Sequence, residues 1–260
     1  MDRHPGQVAE LFGNPAGDTG RPLFQERLSL RPHALLRLLH LASPSLPVGA
    51  YSYSQGLESA IDAGIVKNEG GALAWVADTL QLSVARLEAP VFCRLYAAWA
   101  NGDIDKVHHW SEFFLASRDT AEFRAETVQM GYSLGKLLAE LLPEHALAPA
   151  LAAASGTAGA KNLPYPTAMA AAGVMLETPL EAALHAYLFS WAENQVLAAL
   201  KGVPLGQMAG QRILLKLEDA VVEAARIALL LEDDDISNWT PGLSLLSMQH
   251  ETQYSRIFRS

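Results

Sequence analysis

Apolar residues recur every three or four positions along most of this 260-residue chain, and this spacing constrains the fold more than any other feature. Leu73, Val76, Leu80, Val84 and Leu87 form one such stripe. The spacing is that of one buried face of an α-helix. No sustained alternation of β-branched residues and no hairpin turn between strands competes with it. The sequence therefore predicts an all-α fold, a single-domain bundle of about ten helices.

Proline, glycine and capping residues mark where the predicted helices begin and end. A first stripe of Leu35, Leu38, Leu39 and Ala42 stops at Ser43-Pro44, because a residue before proline avoids the helical region. The stripe from Leu73 to Leu87 is expected to end near Pro90. Residues 143–166 allow one short helix and then a loop. Further helices are predicted over 57–64, 91–100, 104–115 with Asp103 as N-cap, 119–142, from Thr178-Pro179 with Leu180, Leu184, Tyr187, Leu188 and Trp191 inward, and over 214–231.

The helical pattern divides the chain into two parts. Residues 1–30 contain scattered proline and glycine and no apolar period, so we predict a flexible N-terminal arm there. Residues 31–260 are predicted to form the helical domain, including a C-terminal tail that binds a partner.

Charge and cysteine content exclude several classes of function. The formal net charge is −9, which would repel a phosphate backbone, so no nucleic-acid partner is expected. A single cysteine, Cys93, excludes an internal disulfide and cysteine-rich metal sites, and it is expected to be a small core thiol. No secretion signal or membrane-spanning segment is seen, and we predict a cytoplasmic protein with no membrane partner.

The motifs of common enzymes are missing from the sequence. It has no phosphate-binding G-x-x-x-x-G-K-[ST] loop, no H-E-x-x-H pair and no G-x-S-x-G elbow. His108 and His109 are adjacent, so on a helix they point about 100° apart and do not readily chelate one metal ion. We therefore predict no catalytic residue, no metal site and no cofactor.

Three features near the C-terminal end are unusual for simple packing. Gly206 and Gly210, with Gln207 and Gln211, form two pairs with helical spacing; either the helix packs closely inside the bundle with its amides satisfied there, or it contacts another subunit. The acidic run at 232–235 is expected to be solvated. The last residues are more apolar than a free tail, so the tail is expected to dock on something.

Four sequence blocks closely resemble the UreF family of urease accessory proteins. The first runs from Leu41 to Glu58 and reads LASPSLPVGAYSYSQGLE. The others are Thr120–Arg124, Pro204–Gln207 with Gly210-Gln211, and Ser247–Glu251 continuing to Arg256–Ser260. Their order and spacing match the family from about residue 33 to residue 260.

The resemblance implies an all-α adaptor that is not itself an enzyme. Proteins of this family join UreD, also called UreH, and the GTPase UreG in a complex that docks on apo-urease and allows nickel to enter its active site. Family members form two-fold dimers, so a homodimer is expected. The partner-binding residues carried over to this chain are Pro47, Gly49, Tyr51, Tyr53, Gln55, Glu58, Gln207, Gln211, His250, Glu251, Tyr254, Arg256 and Arg259.

Two questions stay open at this level. An all-α scaffold or enzyme unrelated to urease is the alternative function. Arg118, Arg124, Arg256 and Arg259 are expected to pair with acids such as Glu122 and Glu126 or with backbone carbonyls, rather than to supply a finger to a phosphate.

The tail and the loop at residues 43–54 are predicted to form one surface that recruits UreG. We expect residues 244–260 to become helical on partner binding, and deletion of residues 250–260 to leave the bundle folded. The alternative is that both segments only complete the fold.

Overall fold

The computed structural model describes residues 30–154 and 163–260, and all regular secondary structure in these ranges is helical. No strand occurs in those ranges, so the all-α prediction is confirmed. The helices are α1 (Pro32–Leu41), α2 (Leu57–Asp62), α3 (Glu69–Thr79), α4 (Ala89–Ala100), α5 (Ile104–Ala116), α6 (Ala121–Leu141), α7 (Ala148–Ala154), α8 (Tyr165–Met175), α9 (Leu180–Gly202), α10 (Gln207–Leu230) and α11 (Pro241–Glu251). A π-helix spans Leu80–Glu88, and 3₁₀ turns span Ala50–Ser52 and Asp233–Asp235.

Side-chain caps explain where several helices begin. Asn68, Asp103 and Thr120 each accept a hydrogen bond from a backbone N–H of the first helical turn. Such a bond satisfies one of the four free N–H groups of a helix start. The cap predicted at Asp103 is confirmed, whereas the helix expected from residue 119 begins after Thr120.

The predicted break near Pro90 is wrong. α3, the π-helix and α4 follow one another without interruption over residues 69–100, and Pro90 lies in the first turn of α4. Proline cannot donate the hydrogen bond that the carbonyl of Arg86 would otherwise receive. The backbone N–H of Ser237 donates to that carbonyl instead, at 3.2 Å, so the helix continues through the proline.

α8 lies at the centre of the bundle, packed against α4 and α6. It is buried on nearly all sides, with Ala168, Ala170 and Ala171 fully inaccessible. Small residues permit this close packing: a Cβ on Gly131 of α6 would lie 1.9 Å from the carbonyl oxygen of Leu163, just before α8. A helix buried all round shows no apolar stripe, and for that reason the sequence pattern did not reveal α8.

The predicted inward face of α9 is largely confirmed, because Leu184, Tyr187, Leu188 and Trp191 are all buried; Leu180 is only half-buried. The predicted stripe of α1 is partly wrong: Leu38 is buried, but Leu35 and Leu39 are exposed. α1 packs on α9 through one narrow face formed by Ala34, Leu38 and Leu41, which leaves the other leucines outside.

Other predictions fall partly outside the described residues. The short helix expected within residues 143–166 corresponds to α7, but residues 155–162 lie outside the described part of the chain. The arm predicted for residues 1–30 lies outside it almost entirely. Residues Pro32–Ser260 form one compact unit. No helix in the described ranges is both long and apolar enough to cross a membrane.

Candidate partner-binding site

The loop between α1 and α2 has a backbone that depends on glycine at two points. Gly49 and Gly56 both have φ near +80°, a region that side chains strongly disfavour. Gly49 precedes the 3₁₀ turn at Ala50–Ser52, and Gly56 precedes α2. The turn leaves Tyr51 exposed and places Tyr53 inside. One aromatic ring therefore faces solvent while the next anchors the loop.

This loop is in direct contact with the end of the chain. The backbone oxygen of Ser260 accepts hydrogen bonds from the backbone N–H and the hydroxyl of Ser54, and the backbone N–H of Arg259 donates to Ser52 at 2.8 Å. The Nζ of Lys201 lies 5.7 Å from the centre of the Tyr51 ring and 5.3 Å from that of the Phe258 ring. The loop and the tail, residues 252–260, thus form one continuous surface.

His250 anchors the tail from a fully buried position at the end of α11. Its Nδ1 lies 2.8 Å from a carboxylate oxygen of Glu122 on α6, and its Nε2 lies 3.0 Å from Glu58 on α2. Arg256 also donates to Glu122, at 3.0 Å. The backbone N–H groups of Ile257 and Phe258 donate to Glu58 at 2.6 and 2.9 Å. Two carboxylates therefore bind one histidine and the tail together.

A second buried acid, Glu126, lies one turn further along α6. It accepts hydrogen bonds from the Nε2 of Gln55 at 2.6 Å and from the hydroxyl of Ser260 at 3.0 Å. Burial raises the pKa of this carboxyl from 4.5 to about 7, because desolvation disfavours the charged form. Gln55 in turn accepts from the indole N–H of Trp191 at 2.8 Å. A polar chain thus connects α6, the loop and α9.

A third buried acid, Glu88, completes the polar interior. It accepts from the hydroxyl of Tyr187 and forms a 3.5 Å ion pair with Arg118, whose guanidinium lies over the ring of Phe114. Burial and the nearby Glu88 raise the pKa of Tyr187, which keeps this phenol protonated. Glu88, Arg118 and Glu126 line one cavity of about 70 Å³, together with loop residues such as Tyr51. The space is large enough to hold ordered water.

The predicted site residues divide into an exposed and an interior group. Exposed residues on or next to the loop and tail are Pro47, Tyr51, Glu251, Tyr254, Arg256 and Arg259. Interior or half-buried residues are Gly49, Tyr53, Gln55, Glu58 and His250. The interior group holds the loop and the tail in place, and the exposed group lies on the surface of the protein.

Gln207 and Gln211 differ from the expectation for their segment. Both side chains are exposed, so the first of the two interpretations, in which the amides are satisfied inside the bundle, is wrong. Gly206 is the N-cap of α10 and has open space around it, whereas a Cβ on Gly210 would lie 2.8 Å from the side chain of Leu200 on α9. Of these two glycines, therefore, only Gly210 must be small for α10 to pack against α9.

Of residues 244–260, which are expected to become helical on partner binding, residues 244–251 are already helical in α11, and the tail that follows is docked on its own bundle. Helix α11 ends at Glu251, and the tail crosses the bundle without helical structure. Of its apolar residues, Phe258 is buried, whereas Tyr254 and Ile257 are exposed. Deletion of residues 250–260 removes eleven residues, among them the groups that bind Glu58 and Glu122, and would leave those buried carboxylates unpaired, so the expectation that the truncated protein stays folded is not supported.

Three of the four arginines follow the expected pairing, whereas the side chain of Arg259 contacts Tyr53 instead. Arg118 and Arg256 bind Glu88 and Glu122, and Arg124 donates to the carbonyl of Leu115 at 2.9 Å. The acidic run at 232–235 is solvent-exposed, as expected, and one of its members, Asp233, pairs with Arg94. Cys93 is buried in α4 as expected, and desolvation raises the pKa of its thiol to about 12.

Sequence reasoning missed the acids at the centre of this site. The sequence patterns do not assign Glu88 to the site, and they include Glu122 and Glu126 only as expected partners for arginine. The available signal was a carboxylate on the inward face of an apolar helix, since such a residue is almost never fully buried without partners. Within residues 30–154 and 163–260, no three His, Cys, Asp or Glu side chains are grouped so that they could hold a metal ion.

Comparisons with known proteins show which family this chain resembles. The family model UreF matches residues 66–218. The chain is 58% identical to the urease accessory protein UreF of Janthinobacterium sp. (strain Marseille), over 89% of this chain and all of the relative. It is 52% identical to the UreF of Azoarcus sp. (strain BH72), over 87% of this chain and 95% of the relative. A bifunctional urease accessory protein UreEF of Bordetella bronchiseptica is 48% identical over 89% of this chain and 53% of its own length.

Proposed function

This chain belongs to the UreF family of urease accessory proteins, and from that premise we propose that it is an adaptor in the maturation of the urease nickel centre. It joins UreD, also called UreH, and the GTPase UreG in a complex on apo-urease, and nickel is cargo of that complex. We propose that the adaptor acts in the cytoplasm, because its single buried cysteine forms no internal disulfide and so does not depend on an oxidising compartment. The UreEF relative supports a role beside other accessory proteins, since its name assigns two such functions to one chain.

The observation that supports the adaptor role is the braced loop and tail surface. Exposed Tyr51, Tyr254 and Ile257 lie around an interior in which the tail is held by Glu58 and Glu122. Exposed aromatic and aliphatic groups on a rigid support are typical of binding hot spots. We propose that this surface recruits UreG. The pairing of Arg118 and Arg256 with buried acids favours recruitment over donation of an arginine to the GTPase phosphate.

The test replaces exposed residues, which avoids the unfolding expected from truncation. Ile257→Ala and Tyr254→Ala remove side chains that are 64% exposed and fully exposed, so neither should change stability by more than about 0.5 kcal/mol. When each variant is purified together with UreD and UreG, it is expected to bind roughly tenfold less UreG than the native protein. Nickel-dependent activation of urease should fall as well.

The matched control is Leu141→Ala, which removes a side chain of similar exposure, 57%, from the far end of α6. Residue 141 lies about 28 Å along the helix from Glu122. If the Ile257 and Tyr254 variants assemble and activate as fully as the Leu141 variant, this surface does not recruit UreG.

We also propose that the chain forms a homodimer through α9 and α10. Met208, Leu215, Val222 and Leu229 recur every seven residues on α10 and are all exposed. They lie beside an apolar groove between α9 and α10, lined by Phe189, Leu214 and Val221 among others. A seven-residue apolar repeat is the spacing with which helices pair lengthwise, and a two-fold contact uses the same surface twice.

Light scattering tests the dimer. The native chain is expected to give about twice 28.0 kDa, and Val222→Asp is expected to give a single chain because it places a charge in the apolar contact. Leu141→Asp is the control and should remain dimeric. A native mass of one chain at tens of micromolar, alone and with UreD, contradicts the proposal.

A further inference from the structure

Both ring nitrogens of His250 face a carboxylate, and the ring has no access to solvent. Nδ1 lies 2.8 Å from Glu122 and Nε2 lies 3.0 Å from Glu58. The exposed fraction of His250 is 0%, so bulk water cannot insert between the ring and either acid. His250, Glu58 and Glu122 thus form a buried triad of one imidazole and two carboxylates.

The two hydrogen bonds determine how many protons the triad holds. A neutral imidazole has one N–H, and an ionised carboxylate only accepts hydrogen bonds. Two bonds from the ring therefore require an imidazolium, or else one carboxyl group that carries the proton in its place. In both cases the docked arrangement contains one proton more than a neutral histidine between two ionised acids.

The charges around the ring favour this extra proton. Glu58 faces it from α2 and Glu122 from α6, while Arg256 of the tail neutralises only part of Glu122. Glu126 lies further along α6, and Glu88 lies beyond it with Arg118 as its partner. Tyr53 of the loop is near Glu126 and Arg259, and Glu251 of α11 accepts from the backbone N–H of Ala121. The two carboxylates that touch the ring outnumber the one guanidinium bound to them.

Release of the tail exchanges these groups with water. An exposed histidine is neutral above about pH 6.5, and exposed carboxylates are ionised there. In water above about pH 6.5 the released groups therefore hold one proton fewer than the docked arrangement with its two hydrogen bonds contains. Equilibria that bind one proton change about tenfold for each pH unit.

We propose that docking of the tail takes up one proton into the triad of His250, Glu58 and Glu122, so that rising pH releases the tail. The same acids that bind the ring also bind the tail backbone, since Glu58 accepts from Ile257 and Phe258. Loss of the proton leaves a bare ring nitrogen facing a carboxylate oxygen, and this repulsion acts on the groups that hold the tail.

Amide hydrogen exchange on the full chain tests the proposal without any partner. The protection factors of the Ile257 and Phe258 amides, corrected for intrinsic exchange, are expected to fall as the pH rises above about 7, by at most about tenfold per pH unit. The amide of Val196, in the middle of α9, should keep its protection. Tail protection that does not change with pH overturns the proposal.

Glu122→Gln tests whether the triad holds the proton. The amide of the new residue can donate to Nδ1 of a neutral ring while Nε2 donates to Glu58, so the tail docks without an extra proton. The pH slope of tail protection should fall by about one proton in this variant.

Two control variants complete the experiment. Glu251→Gln replaces a carboxylate that does not touch the ring and should leave the pH slope of tail protection unchanged. Glu126→Gln should remove only the part of that slope that comes from Glu126 and leave the part that comes from the triad. An unchanged slope in Glu122→Gln places the proton elsewhere and overturns the proposal. The exchange experiment contains neither UreG nor UreD. A negative result therefore says nothing about recruitment of UreG, which the co-purification experiment tests separately.

Discussion

Replacement of Glu126 by glutamine is expected to stabilise the protein at alkaline pH. The side chain is buried, and within residues 30–154 and 163–260 no cationic side chain forms an ion pair with it; its hydrogen bonds come from Gln55 and Ser260. A neutral amide of the same shape can accept from Gln55 and donate to the hydroxyl of Ser260, which rotates to receive it. The variant therefore keeps both hydrogen bonds and removes a buried charge.

The magnitude follows from the pKa of this carboxyl, which burial raises from 4.5 to about 7. The folded state thus binds a proton more tightly than the unfolded state. Below pH 4.5 both states are protonated and no penalty exists; as pH rises towards 7 the penalty grows, and above 7 it is complete. Because each pH unit corresponds to about 1.4 kcal/mol, the stability lost by the native protein at pH 8 is about 3 kcal/mol.

Urea denaturation at about pH 5 and about pH 8, followed by circular dichroism, measures this effect. Glu126→Gln should exceed the native protein by about 3 kcal/mol at the higher pH and by less than about 1 kcal/mol at the lower. Glu144→Gln, an exposed acid, is the control and should match the native protein at both. A Glu126 variant that is less stable than the native protein at pH 8 refutes the reasoning, because the carboxylate would then be worth more than its desolvation costs.

Three further predictions concern the interior. Gly131→Ala should destabilise by about 1–3 kcal/mol in thermal unfolding, because its Cβ would lie 1.9 Å from the oxygen of Leu163 and two backbones must separate. Arg118→Ala should lower the free energy of unfolding in urea by about 3–5 kcal/mol, since it leaves Glu88 buried without its cation. The double variant Arg118→Met with Glu88→Gln removes both charges and should lose less stability than Arg118→Ala. Cys93 should react with thiol reagents only after unfolding, because burial raises its pKa to about 12; fast labelling of the native protein at pH 8 would contradict this.

Local sequence patterns predicted those helices that bury one face. The inward residues of α9 and the cap at Asp103 follow from spacing and capping chemistry within a few positions of the chain. The pattern failed where burial was complete, as in α8, or where the partner helix covered less than expected, as in α1. Pro90 was misjudged because the donor that replaces its missing N–H is Ser237, far away in the sequence.

The candidate site shows the same division. The motif from Leu41 to Glu58 and the end of the chain marked the two segments, and the resemblance to UreF supplied their expected role. Their contact depends on pairs such as Glu58 and His250, which are 192 residues apart. The residue types at these positions are visible in the sequence, but their burial, and with it the pKa of Glu126 and the proton held by the triad, depends on which helices surround them. Periodicity acts over one or two helical turns, whereas desolvation is a property of the whole assembled bundle.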